Sequence, residues 1–496
     1  MVQDTLWRCS VVHITYLSWH TKLMVSFLAD RTVLVLRKLR LVANCCWFSC
    51  ALWKARYRAV GLIAKACPVL QVANRRALGL SNRRLDTFTH SCFRIIKPEE
   101  RAMKVVFLHP DLGIGGAERL IVDAAVALSH HGHQVKLVTN HYSSDHCFSE
   151  TTSLDIETHF SWRRDIFGRM MALCAYVKMI LAAIYVCLFC EADLFIVDQV
   201  SACIPILKWF SSARVLFYCH FPDQLLTRRD SFMKSIYRAF FDWLEEWSTA
   251  KADVICVNSR FTASVVKNTF RRLKDRHLTI LYPCLNTQTF DESRPVNLEF
   301  LNGNAKSVYL SVNRYERKKN VGLALEAYAL LKSRLSEEKF ASTFMVIAGG
   351  YDKKNIENIE HYEELKQKAA ELSIPDNQIV FLKSPSDAIK IELLRRASMV
   401  LYTPTNEHFG IVPVEAMYMK TCVVALNSGG PTESIEDGVT GFLCEETAES
   451  FADAMEKCVT SPKEIEMMGI AGEARARDIF GIDVFGEKLN NIVLLE

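Results

Sequence analysis

Two glutamates, Glu407 and Glu415, stand eight residues apart in the segment Asn406 to Met417, which reads N-E-H-F-G-I-V-P-V-E-A-M. Paired carboxylates serve either acid and base work on a glycosidic bond or the holding of hydroxyl-rich ligands. Pro413 lacks an N–H and has a fixed φ, which suits the first position of a helix. A helix starting there leaves Glu407 in the preceding loop and puts Glu415 in the first turn, so the two do not share a face. Glu415 alone would only be answering the helix dipole. Glu407 is harder to explain as packing, because Gly410 bares backbone amides beside a carboxylate, a setting suited to sugar hydroxyls.

A basic pair lies elsewhere. In Ser311-Val-Asn-Arg-Tyr-Glu-Arg-Lys-Lys-Asn320, Arg314 and Lys319 are five residues apart across a turn. A planar fork and a point charge converging on one anion suit a diphosphate. A charge run is ordinarily a solvated loop, but this one ends a strand, opposite the glutamates. Gly113, Gly115 and Gly116 open a helix in G-I-G-G-A-E, where bare amides form an anion-friendly cradle. Glycines also serve plain tight turns, and the dinucleotide pattern G-x-G-x-x-G is absent. His220 follows the apolar run Val215 to Cys219, and there an imidazole can meet a sugar hydroxyl or buffer developing charge. Asn427 to Glu433 (N-S-G-G-P-T-E) supplies a second glycine turn, expected to close the site.

The elements that must position these groups alternate along the chain. Lys104–His109 reads as a strand, Ala117–His130 repeats apolar residues at helical spacing, and Gln134–Thr139 is a second strand. Strands follow at Leu194–Asp198, Val215–His220 and Asp253–Asn258. After a polar break over 286–306 the pattern restarts, with strands at Ser307–Asn313, Thr343–Ala348 running into Gly349, Gln378–Leu382, Met399–Tyr402 and Cys422–Ala425, and a helix over Leu323–Leu335. This is an α/β chain of two doubly wound halves, and ligands of such sheets sit at the carboxyl ends of the strands. The expected division is a basic extension over 1–102, a first half over 103–290, a second over 291–475 and a terminal helix over 476–496.

Charge divides the chain too. Residues 1–102 carry 17 Lys+Arg against 5 Asp+Glu, the remainder 43 against 51. The extension has no secretory pattern, and its apolar stretch Leu41–Trp53 falls short of the roughly 20 residues of a span; it is expected to be disordered, a targeting segment or dispensable. Leu173–Cys190, with Lys178 its only charge, is either a membrane-contacting helix or a buried crossover. Seventeen scattered cysteines and no Asn-x-Ser/Thr sequon predict free thiols in a reducing compartment.

Assembled, E-H-F-G-I-V-P-V-E, N-R-Y-E-R-K-K-N, H-P-D-L-G-I-G-G-A-E-R and Y-C-H-F-P-D resemble the retaining GT-B glycosyltransferases of family 4, and among them the mannosyltransferases that extend the dolichol-linked N-glycan precursor. The likeness covers residue 103 onward; the extension has no counterpart in it. It implies two Rossmann-like domains facing a cleft, and mannose transfer from GDP-mannose with retention, first α-1,3 and then α-1,6, to Man-GlcNAc2-diphosphodolichol. It implies no metal or other cofactor, and residence at the endoplasmic reticulum membrane with the catalytic domains facing the cytosol, beside other early mannosyltransferases and without nucleic acid. By the same resemblance Glu407 contacts the donor mannose, Glu415 holds the ribose, Arg314 and Lys319 bind the diphosphate, and Phe409, Gly410 and Ile411 offer amides to the sugar, with Gly349 also on the donor side. His220 lines the sugar from the other domain, Gly113, Gly115 and Gly116 lie near phosphate or acceptor, and 173–190 meets the lipid. Two rivals stand beside this reading: a relative using another nucleotide sugar, and an inactive membrane-associated scaffold of the same fold.

Overall fold

Strands whose residues are apolar on both faces must be covered on both, and the chain meets that need twice with a parallel sheet and its crossover helices. The computed structural model describes residues 102–162, 170–227, 229, 231–301, 303 and 305–495. The expectations for residues 1–101 lie outside them.

The first half contains β1 (Lys104–His109), α1 (Gly116–His130), β2 (Gln134–Thr139), β3 (Asp155–Thr158), α2 (Met171–Phe189), β4 (Leu194–Asp198), α3 (Ile204–Phe210), β5 (Arg214–Cys219), α4 (Phe232–Thr249), β6 (Val254–Val257), α5 (Arg260–Thr269) and β7 (Thr279–Ile280). Its seven strands are parallel in the order β3-β2-β1-β4-β5-β6-β7. Period-two alternation splits each strand between two cores. Val106, Leu108, Val197 and Phe217 pack under α2, α3 and α4, whereas Val105, Phe107, Ile196 and Tyr218 pack under α1.

The second half contains β8 (Ser307–Val312), α6 (Val321–Arg334), β9 (Thr343–Gly349), α7 (Ile356–Glu371), β10 (Ile379–Lys383), α8 (Asp387–Arg396), β11 (Met399–Tyr402), α9 (Ile411–Tyr418), β12 (Cys422–Leu426), β13 (Gly441–Cys444), α10 (Ala448–Thr460), α11 (Pro462–Phe480) and α12 (Ile482–Leu494). Its sheet runs β10-β9-β8-β11-β12-β13. The chain then returns: on α12 Asn490 meets His133 Nε2 at 2.7 Å, and Arg214 donates to the Val493 carbonyl at 3.0 Å.

In both sheets the strand order reverses beside the first strand, between β1 and β4 and between β8 and β11. Those reversals open crevices at the strands' carboxyl ends, where doubly wound folds take ligands.

Two differences from the sequence reading have physical causes. The short edge strands β3, β7 and β13 escaped notice because two to four residues carry no readable period. Helix α9 begins at Ile411 behind Gly410, whose φ of 81° is left-handed. Pro413 is thus the third helical residue, tolerated because the first four amides of a helix have no intrahelical acceptor, and Glu415 falls in the second turn. The segment 173–190 forms α2, the crossover between β3 and β4; it is long and apolar enough to span a membrane, yet Tyr176, Met179, Ala182, Ala183 and Val186 pack into the sheet core. The described cysteines are free.

Candidate functional site

In the first half β1 and β4 end side by side, Leu108 opposite Val197, so that His109 and Asp198 meet at the reversal. His109 Nδ1 is 2.7 Å from Asp198 Oδ1, and His220, one residue beyond β5, places Nε2 at 3.0 Å from Asp198 Oδ2. His109 and Asp198 are fully buried. Burial opposes charge on both, but each outweighs that for the other: the Asp198 carboxylate holds the His109 imidazolium above its ordinary range, and His109 holds Asp198 below its own. A buried carboxylate thereby fixes the ring of His220.

The second half ends its central strands in the same way. Asn313 and Arg314 follow β8, where Gly349 lies so close that a Cβ would come within 1.6 Å of the Asn313 carbonyl oxygen. Lys319 Nζ forms an ion pair with Glu407 in the loop after β11, and Thr403 donates to the Lys319 carbonyl at 2.8 Å. Burial pushes the Glu407 carboxyl up, but the Lys319 ammonium and the Tyr402 hydroxyl outweigh it and hold Glu407 below the usual range. Burial lowers His408, with Lys319 and Lys318 adding to it and Glu407 opposing. Glu415 is buried on α9; Lys390 of α8 reaches its Oε1 at 2.9 Å, while Oε2 has no hydrogen-bond partner among the described residues.

Two glycines wedge this loop in place. A Cβ on Gly429, itself at φ 65°, would lie 2.4 Å from the Glu407 carbonyl, and one on Gly430 2.2 Å from that of Phe409; the Gly430 amide donates to the Glu407 carbonyl at 2.8 Å.

The halves meet at the same point. Phe221 stacks on His408 with centroids 3.7 Å apart, Ser259 donates to the His408 carbonyl at 2.6 Å, and Glu433 accepts from the amides of Arg260 and Phe261 at 2.9 and 2.8 Å. Beside them a cavity of about 1120 Å³ is bordered by His220, Phe221 and His408, by Ala117 of the glycine-loop helix, and by α2 and α4.

Most of the expected residues are thus assembled. Glu407, Lys319, Phe409 and Gly410 form one loop cluster, and His220 faces it across the cleft. Arg314 and Lys319 do not share a partner: Arg314 is exposed, pairs with Glu316 at 3.0 Å and lies along Gly350. At the glycine loop Glu118 turns its carboxylate over Gly115, where a Cβ would be 2.2 Å from Oε2. Gly116 has open space and Gly113 sits near His146. The sequence reading missed Asp198, His109, Lys390 and Tyr402. Asp198 had a signal, a carboxylate closing an apolar strand; Lys390 had none, since its partner lies 25 residues away on another helix.

Comparison with known proteins bears on this arrangement. Residues 114–289 match the family model described as Glycosyltransferase Family 4, and 298–475 that of Glycosyl transferases group 1. The chain is 49% identical over 396 residues to the alpha-1,3/1,6-mannosyltransferase ALG2 of Homo sapiens, covering 78% of this chain and 95% of that protein. With its counterpart in Dictyostelium discoideum it shares 41% over 416 residues, 80% and 99% of the two chains, and with that of Saccharomyces cerevisiae 39% over 373 residues, 69% and 73%. Among solved structures, sucrose-phosphate synthase of Thermosynechococcus elongatus superposes with a TM-score of 0.63 at 16% identity, over 79% of this chain and 98% of that one. Anabaena HepE in complex with UDP and glucose gives 0.57 at 18%, over 79% and 99%. These two likenesses speak for the GT-B fold alone.

Proposed function

Because the chain belongs to the ALG2 family of alpha-1,3/1,6-mannosyltransferases, we propose that it transfers mannose from GDP-mannose to Man-GlcNAc2-diphosphodolichol, α-1,3 and then α-1,6, at the cytosolic face of the endoplasmic reticulum. The observation that carries the chemistry is the Lys319–Glu407 ion pair at the second sheet's reversal, facing His220 across the cleft.

In this reading the bond from the mannose C1 to the phosphate oxygen breaks and the electron pair leaves on the diphosphate. Lys319, held by Thr403 and Glu407, meets that charge, and Arg314 reaches it from the next turn; fixed cations of this kind stabilise a leaving group without solvent reorganisation. Glu407, kept ionised by its neighbours, stabilises the positive charge developing on the sugar. The amides of Phe409, Gly410 and Ile411 meet sugar hydroxyls, and Gly349, packed on the Asn313 carbonyl, holds the turn that carries Arg314 toward the donor. The unpartnered Oε2 of Glu415 accepts from a ribose hydroxyl. His220, its ring fixed by Asp198, contacts the sugar from the first half, while the cavity beside it takes the acceptor, whose hydroxyl oxygen forms the new bond to C1 as its proton passes to the departing diphosphate oxygen. Gly113, Gly115 and Gly116 border the acceptor; the Glu118 carboxylate over Gly115 favours hydroxyl over phosphate there.

The test is direct. Purified chain is incubated with GDP-mannose, or with UDP-glucose, and a phytanyl diphosphate trisaccharide. Two successive mannose additions with GDP-mannose are expected; transfer from UDP-glucose alone would sink the donor assignment, and no transfer from either would favour a scaffold.

A further inference from the structure

Helix α4 is built inside out. Its buried face carries Arg238, Asp242, Glu245, Ser248 and Thr249 with Phe241, whereas its outward face carries Phe232, Ile236, Phe240 and Trp243. These four are 78%, 54%, 58% and 50% exposed. A helix on a water-facing surface shows the opposite pattern, apolar stripe inward and charge outward. The inner polar face has its own work: Glu245 accepts from the amides of Asp223 and Gln224 at 2.7 and 3.2 Å, and Arg238 donates to Asp223 at 2.7 Å, which fixes the loop after His220.

The outward residues are continuous. Phe240 and Trp243 have ring centroids 6.2 Å apart, Trp243 stacks on Trp247 at 5.9 Å, and Trp247 meets Trp209 of α3 at 6.3 Å. Trp209 and Phe210 are 67% and 69% exposed. A cation borders this aromatic row, with Lys251 Nζ 5.9 Å from the Trp247 ring. Charge follows the same segment: residues 208–276 carry 13 Lys+Arg against 7 Asp+Glu, while the rest of 103–496 carries 30 against 44. The cavity beside His220 is walled by α4 and by the start of α2, through Met171, Met233 and Tyr237.

The geometry points to the outer face of α4 and the end of α3 as the surface that seats on a bilayer carrying anionic lipid. Amphipathic rings settle at the level of the headgroups, where tryptophan is enriched, and the basic segment draws them to negative charge. In that orientation the cavity opens toward the headgroups, so an acceptor held by its lipid arrives without leaving the bilayer. This deepens the reading above and rests on it for the acceptor; the contact itself does not.

The experiment uses the full chain with phosphatidylcholine vesicles, with and without phosphatidylserine, in flotation and in quenching of tryptophan by brominated lipid. Stronger flotation with phosphatidylserine is expected, weakened by salt and by Lys251→Glu. Phe240→Ser with Trp243→Ser should bind at least about tenfold more weakly while still folding with a cooperative melt only modestly lowered, because both side chains are half or more exposed. The difference in quenching between the wild type and Trp243→Phe reports whether Trp243 itself meets lipid. Trp243 left unquenched overturns the proposal, and so does an absence of binding to protein-free vesicles, which would give this face to a protein partner. A chain that binds through Trp243 yet transfers no mannose would sink the catalytic reading and leave this one standing.

Discussion

Glu407 and Lys319 are each other's counter-charge, and that makes their substitution asymmetric. Removing one partner of a partly buried pair strands the other. Lys319→Ala leaves Glu407 beside Tyr402 without its cation, so mannose transfer should fall by about 10²–10³ and the Glu407 carboxyl should titrate higher, visible as an acid limb of the pH–rate profile moved toward neutrality. Arg314→Ala should cost less, about tenfold, because Arg314 is exposed and paired only with Glu316; equal losses for the two would show that they act as one clamp. Asp198→Asn tests the buried relay. An amide still fills the space but carries no charge, so kcat should fall by about 10–100-fold with little change in donor KM; an unchanged kcat would reduce Asp198 to packing. At this scale the sequence displayed the candidate site side chains through their motifs, E-x7-E and R-x4-K, since both are local in the chain. Lys390 and His109 stayed hidden because the contacts that give them meaning, to Glu415 and Asp198, are made only in the fold.

The loop from Glu407 to Gly410 is held by the turn at Gly429 and Gly430, where backbone packs on backbone without a Cβ between. Gly430→Ala would drive a methyl group into the Phe409 carbonyl. Overpacking of this kind costs about 1–3 kcal/mol, and activity should fall further than the melting temperature implies, because the displaced atoms belong to the loop proposed to meet the donor sugar. Helix α4 offers a second measurement. Burial, with the Asp223 and Asp242 charges, outweighs the two amides and raises the Glu245 carboxyl from 4.5 to about 7. A carboxyl raised on folding binds its proton more tightly in the native state, so its stabilising contribution is complete below about pH 4.5 and is lost as pH rises to about 7. Glu245→Gln removes that slope: over this window the variant's melting temperature should gain relative to the wild type's as pH increases, and a constant gap would show that Glu245 stays ionised. Strand and helix order were legible because buried parallel strands are apolar runs and their helices keep a clear period. The start of α9 was misread by two residues because proline is tolerated at any of the first amides of a helix, and only the left-handed Gly410 fixes where it begins.

Across the whole molecule several contacts join the two halves. Helix α12 returns to the first half at His133, Phe221 stacks on His408, and Glu433 caps the start of α5 while accepting from the Tyr282 hydroxyl at 3.0 Å. The first is made by α12, away from the site residues; the other two lie beside the loop that carries Glu407. The doubling of the α/β pattern made two halves legible in sequence, but their mutual placement was not, because Glu433 and Arg260 lie 173 residues apart and no periodicity links them. Glu433 is the sharper handle of these last two contacts, since a carboxylate on amides at a helix start combines hydrogen bonds with the helix dipole, together worth about 1–2 kcal/mol. Glu433→Ala should therefore leave each half folded while widening the cleft. Small-angle scattering should give a larger radius of gyration than wild type, and the donor KM should rise several-fold with kcat less affected, because in the proposed reading His220 meets from the first half a sugar held by the second. An unchanged radius and KM would mean that the other contacts, among them the Phe221–His408 stack and the Ser259 hydrogen bond, hold the halves without Glu433.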